Sequence, residues 1–473
     1  MTSFFQRRIP PSQVARGFAL VVAVLSLFAY GWSQMDLLGD TFWYIATGRY
    51  VLEHRAFPLD ELFSYAAVRG PWFVNMPLSE PLFAWIADHL GVRALLAICT
   101  AVFGTALTLF WLPHAKGTVA RLLTWPLVVF AIYVERGDLS ARSQTIAYLF
   151  IAVLFLCMFR LRDGKAVTRW LPLLLGAVWI NVHPSWLVGV LVPVGFAVAL
   201  RVSPREGRPT PTQFLLFSAL LALGGFINPY GHRLVLEILR FMTAESTTAI
   251  DLFRSPDFRS PEIVIALFLA VATMFGCLVS ASRQTPEALI MLAMIAMTCV
   301  SRRYVNILMA YEIVLAGRLL QSMAWTRTEP SVRWLVLASS LPVGLAAFSL
   351  QEPKEPWQHM PVEAAQFIEE NKLPDNVMNM LHWGGYLDYA WRGRRRIFID
   401  GRTTQFENGV LTDYVTLYNA GAGSRDLLDV YIVNTVLGEG GSPLDVALSR
   451  DPDWRLAFRK GIAVVYVRRQ LVH

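Results

Sequence analysis

Charge is what this sequence has least of. Only 16% of its 473 residues are Asp, Glu, Lys or Arg, where a soluble globular chain carries about 25%. That deficit excludes a single water-soluble core, because soluble chains of this length split into domains with charged surfaces. Cysteine is scarce as well. The four present, Cys99, Cys157, Cys277 and Cys299, fall inside apolar runs without metal-ligand spacing and with no soluble segment to staple. No Walker loop, zinc motif or nucleophile elbow occurs, and no internal repeat or low-complexity tract. What is abundant is apolar: 55% hydrophobic residues and a mean hydropathy of +0.44. Repeated apolar runs of bilayer length identify a polytopic α-helical membrane protein.

Base and acid are unevenly divided. Residues 1–350 hold 28 Lys and Arg against 19 Asp and Glu, whereas residues 351–473 hold 14 against 16. A basic excess of this kind in a membrane region reads as cytoplasmic loops, not as a nucleic-acid surface. Apolar runs centre on about 17–34, 93–113, 122–134, 144–160, 169–181, 185–200, 212–228, 261–280, 286–300, 304–321 and 333–350, which predicts about 11 transmembrane helices. Arg7, Arg8 and Arg16 precede the first run with no acid among them and no small-residue cleavage site after it, which places the N-terminus in the cytoplasm and argues against a cleaved signal peptide. An odd number of spans then sends the C-terminal segment to the extracytoplasmic side.

The expected organisation is a membrane domain over 1–350, with a first outer loop at 36–80, and a soluble α/β domain over 351–473. Pro353, Pro356 and Pro361 mark the linker. A helical pattern at 361–372 is followed by strand-like runs at 396–399, 431–437 and 461–467, with helical stretches at 408–420 and 443–449 between them, an alternation that argues for a layered α/β domain.

Polar residues that packing does not readily explain fall on the outer side. Asp36 and Asp40 begin the stretch Met35–Arg49 where the first span ends. A carboxylate at the bilayer surface can act as a general base on a hydroxyl meeting a lipid headgroup; the structural alternative is an N-cap at Asp40 with Trp43 and Tyr44 as interfacial aromatics. Arg136, Arg142, Arg302 and Arg303 run against the inside bias. Their guanidinium forks suit a phosphate or diphosphate, or else pair with Glu135 and Asp138. Asn181-Val182-His183-Pro184-Ser185-Trp186 is a polar kink between apolar runs, tolerated only where it is buried in protein or lines a wet cavity. His183 reads as a phosphate or acceptor contact or as a satisfied bundle histidine. Asn228-Pro229-Tyr230-Gly231 reads as a structural turn. In the C-terminal segment, Trp383-Gly384-Gly385 suggests a tight turn with close backbone approach. Asp400-Gly401-Arg402 suggests either a ligand site at a strand end or an Asp–Arg pair fixing a turn.

Taken in order, these motifs resemble a group of bacterial multi-spanning proteins related to the GT-C superfamily, membrane glycosyltransferases that use lipid-linked sugar donors. The resemblance runs through Asp40-Thr41-Phe42-Trp43-Tyr44, Thr47-Gly48-Arg49, Pro58-Leu59-Asp60, Phe63-Ser64-Tyr65, Pro71-Trp72, Arg142-Ser143-Gln144, Asn181-Val182-His183, Asn228-Pro229-Tyr230-Gly231, Ser255-Pro256-Asp257-Phe258, Arg302-Arg303, Trp383–Leu387 and Phe398–Arg402. It implies a bacterial inner-membrane protein with Asp40 as catalytic base. Sugar would be transferred from a polyprenyl phosphate donor to an extracytoplasmic glycan, lipid or protein acceptor. Arg142, Arg302, Arg303 and Arg136 would bind donor phosphate, and Asp36, Tyr44, Trp72, Glu80 and His183 would line the cavity. Trp383, Gly384, Gly385, Asp400 and Arg402 would form the soluble-domain motif.

The chain also departs from the group. Tyr44 stands where relatives carry His, Leu38 where they carry Asp, and Asn75-Met76-Pro77 where they show His-Glu-Trp. A two-carboxylate divalent cation site thereby loses an acid, with Asp36, Asp60 and Glu80 as partial substitutes, and no motif calls for a cofactor. Two other readings follow: a degenerate relative that binds a lipid-linked glycan within an envelope assembly complex, and an anion or lipid transporter.

Overall fold

In the computed structural model the described residues are 11–66, 72–203, 210–243, 254–280, 284–323, 330–349, 357, 359–407 and 409–469. Arg7, Arg8, Pro71, Pro353 and Pro356, used above, lie outside them. The chain forms two compact units. One comprises Met1–Met35, Leu96–Ile227 and Asp251–Lys354; the other comprises Asp36–Leu95, Asn228–Ile250 and Glu355–His473. Residues 36–80, expected as a first outer loop, therefore group with the helix Ser79–Leu90 and with the C-terminal segment, not with the chain from Leu96 to Ile227.

The named elements of the first unit are all helices among its described residues. A helix lies on each of the eleven apolar runs. Five helices are long and apolar enough to cross a membrane: Ser12–Gln34, Val92–Trp111, Thr118–Glu135, Ser143–Arg162 and Pro261–Val279. Five more are apolar but shorter: Leu171–Val182, Trp186–Val202, Pro211–Gly224, Thr285–Val300 and Arg333–Ser349. With the charge deficit, these helices make the chain a membrane-embedded protein. Pro172, Pro211, Pro261 and Pro286 sit in the first turn of their helices, where a missing N–H costs nothing. Phe155, Phe159, Phe196 and Tyr311 pack ring against ring in the core. At one end Arg162 bonds the buried Glu287 while the exposed Asp163 joins Arg162 to Arg318, so the one buried carboxylate has a cation beside it.

The second unit carries a four-stranded sheet: β1 (Val377–Asn379), β2 (Thr435–Glu439), β3 (Trp454–Lys460) and β4 (Ala463–Arg468), in the order β1-β2-β4-β3. β1 and β2 run parallel, and the two pairs made by β4 are antiparallel. The sheet continues past β1 through single parallel bridges, Val377 to Ile397 and Ile397 to Ser64. There Tyr65 N donates to Ile397 O (3.0 Å) and Ile397 N to Phe63 O (2.8 Å). The expected strand at 396–399 is thus a one-residue bridge, while the runs at 431–437 and 461–467 overlap β2 and β4. The helices at Val362–Glu370, Val410–Tyr418 and Pro443–Arg450 fall on the helical stretches read from sequence.

Candidate functional site

Three elements of the second unit converge on Asp40: the Gly39–His54 helix, the Leu381–Trp391 helix and the turn Asp400-Gly401-Arg402. Asp40 lies in the first turn of its helix, and Leu38, not Asp40, holds the cap position without a side-chain capping bond. The N-cap alternative is therefore corrected: Asp40 is a residue of the first turn, where the helix dipole favours a negative charge. Its Oδ1 accepts from Trp43 Nε1 at 3.3 Å. A Cβ added at Gly401 would lie 2.6 Å from that same Oδ1, so the glycine is what admits the carboxylate there.

Gly384 and Gly385 are helical, inside Leu381–Trp391, and the tight turn expected of them does not form. The close approach does. A Cβ at Gly385 would lie 2.1 Å from Gly39 O, and one at Gly384 would lie 2.1 Å from Ile399 O. The pair removes side chains from one helix face so that backbone can pack on backbone, which seats the start of the Asp40 helix and the Asp400 turn on the same helix.

Arg402 is the electrostatic centre of this unit. Its backbone N–H and Nε reach Asp400 Oδ1 at 2.8 and 3.0 Å. Its Nη1 and Nη2 meet Glu61 Oε2 and Oε1 at 3.0 and 2.8 Å. The guanidinium also lies 4.6 Å from the Trp72 ring centroid and 5.0 Å from that of Phe63. The Asp–Arg turn reading holds, and Trp72 covers a cation here. Burial raises the Glu61 pKa, but the Arg402 guanidinium and the backbone N–H groups of Ser64 and Phe63 hold it below the usual carboxylate value.

Glu80 behaves oppositely. It is fully buried in the first turn of Ser79–Leu90, and neither carboxylate oxygen meets a partner at hydrogen-bond distance. Burial pushes its carboxyl well above the usual range, against the Arg402 charge. Asp388, buried on the Leu381–Trp391 helix, is raised likewise, by burial and then by the charge of Asp400. Asp36 is half-buried, its Oδ1 accepting from Leu37 N at 2.7 Å. Tyr44 packs edge-on against Trp43 and Phe83. Glu61 and Asp388 lie outside the residues singled out from the sequence; for Asp388 the available signal is an acid within the otherwise apolar Tyr386–Trp391 stretch, and for Glu61 there is none.

The four outer arginines and His183 belong to the first unit. Arg136 pairs with Glu262 and Arg302 with Asp138, each at 3.2 Å, and Arg142 Nη2 donates to Asp138 O at 2.7 Å. The partnership with Asp138 expected on structural grounds is present, whereas Glu135 accepts instead from Tyr148 Oη at 2.8 Å. His183 Nδ1 accepts from Ser185 N at 3.0 Å, so a neutral ring carries its proton on Nε2. Burial, with the charges of Arg303 and Arg142, pushes its pKa down to about 3. The Asn228 side chain closes its turn by accepting from Tyr230 N and donating to Gly231 O. Among the described residues no group of three or more His, Cys, Asp and Glu side chains could hold a metal ion. The chain matches no protein-family model and no curated protein.

Proposed function

We propose that the protein is an inner-membrane glycosyltransferase of GT-C type, with about eleven spans and an extracytoplasmic second unit, that moves a sugar from a polyprenyl phosphate to an acceptor hydroxyl. The observation carrying this reading is the setting of Asp40: a half-buried carboxylate at a helix N-terminus, oriented by Trp43 and backed by a glycine that leaves its oxygen room. Such a group takes a proton from a hydroxyl as that hydroxyl attacks the anomeric carbon, while the phosphate leaves with the bonding electrons. Arg142, Arg302, Arg303 and Arg136 are the residues this reading assigns to the donor phosphate, through their guanidinium forks. Asp40→Asn is expected to abolish transfer from a lipid-linked sugar while leaving the thermal melt and retained lipid unchanged. Undiminished turnover in that variant rejects the mechanism.

One observation favours the degenerate relative as a second reading. Glu80, the acid nearest in sequence to the missing His-Glu-Trp, is buried with unpartnered oxygens, a poor setting for a metal ligand. That reading expects a co-purifying polyprenyl-linked glycan and no transfer with any donor.

A further inference from the structure

Three helices of the second unit end at one place. Arg49, in the helix Gly39–His54, donates to Asp88 Oδ1 through Nη2 at 2.6 Å and to Tyr389 O through Nη1 at 3.2 Å. Asp88 and Tyr389 lie in the last turns of Ser79–Leu90 and Leu381–Trp391. This end exposes Leu52 (46%), Trp85 (47%) and Leu90 (58%) beside the exposed arginines Arg55, Arg93 and Arg392, none of which has an ion-pair partner among the described residues. Of the acids here, Asp88 is occupied by Arg49, which leaves Glu53.

Two further facts say what this surface meets. After Gly91 the chain runs directly into Val92–Trp111, one of the helices long and apolar enough to cross a membrane, so Leu90 and Arg93 flank the start of a candidate span. In addition, the helices Gly39–His54 and Leu381–Trp391 each close on an arginine in the left-handed conformation, Arg55 at φ 51° and Arg392 at φ 52°. Glycine is the ordinary residue at such a position. Both long cations accept a disfavoured backbone to sit there with free guanidinium groups. Tryptophan with leucine at a headgroup boundary and basic groups against lipid phosphates are the two elements of interfacial attachment.

We propose that this end of the second unit rests on the membrane surface and binds anionic phospholipid headgroups through Arg55, Arg93 and Arg392, with Trp85 inserted among them. The inference needs only that the chain is membrane-embedded and does not depend on the transferase reading. In nanodiscs of phosphatidylcholine with phosphatidylglycerol added, full-length protein is expected to retain phosphatidylglycerol above its bulk fraction, as counted by native mass spectrometry. The variant R55Q/R93Q/R392Q loses that enrichment by roughly fivefold per arginine removed, and R55K/R93K/R392K keeps most of it. If the triple glutamine variant fails to fold, Arg392→Gln alone carries the test, with a roughly fivefold loss. Equal enrichment in wild type and glutamine variants, or no enrichment in wild type, overturns the proposal.

Discussion

Glu61 and Glu80 differ by nineteen positions and lie in the same unit, yet burial acts on them with opposite results. Glu61 meets a bidentate guanidinium and two backbone N–H groups, whereas Glu80 meets no partner. Because the folded pKa of Glu61 is depressed, its stabilisation is present above its unfolded value of about 4.3 and is lost as pH falls through the folded value. For Glu80 the folded pKa is raised, so its contribution is complete below about pH 4.3 and is lost as pH rises through the folded value. Glu80→Gln should therefore stabilise the second unit at pH 8 and change little at pH 5; a melting-temperature gain that is the same at both values would contradict this. Arg402→Met should cost about 3–5 kcal/mol, because it leaves Glu61 and Asp400 buried without their cation, and urea unfolding would measure it. Asp40 was legible as a candidate because a short polar motif interrupts an apolar chain. Glu61 was not, because its partner lies 341 residues away and no local pattern marks it.

At the level of elements, helices followed from apolar runs with proline in their first turns, since backbone groups in a bilayer must bond within their own segment. Strands were harder to read. β1 has three residues, too few for a period, and β3 carries Arg455, Arg459 and Lys460 on a largely exposed strand. The Gly384-Gly385 pair was misread as a turn because two adjacent glycines signal a bend locally, while the reason for them is a helix seated 2.1 Å, in Cβ terms, from another backbone. Gly385→Ala is expected to destabilise by about 1–3 kcal/mol through overpacking, with hydrogen exchange rising at both Gly39–His54 and Leu381–Trp391. Protection unchanged in the first of these helices would show that the two do not depend on each other.

On the scale of the whole molecule, a boundary drawn near residue 350 by composition describes where apolar runs stop, not where a compact unit begins. The second unit draws on three stretches of chain, and its Arg402 centre takes Glu61, Phe63 and Trp72 from the first of them. Composition sees only neighbours in sequence, so this grouping was out of its reach. A fragment of residues 355–473 made alone should consequently fail to fold cooperatively, since Arg402 would lose Glu61 and its aromatic cover. A sharp thermal transition by circular dichroism in that fragment would oppose this.

The bridge between Ser64 and Ile397 also sets an order of events in the cell. Ser64 Oγ donates to Phe398 O across 334 positions of chain, and a ribosome adding about 5–20 residues per second needs tens of seconds to supply the later partner. Through that interval the early segment has left the ribosome while the edge it pairs with does not yet exist. The Ser64 side of this bridge is therefore without its native partner until the residues around Ile397 have been made.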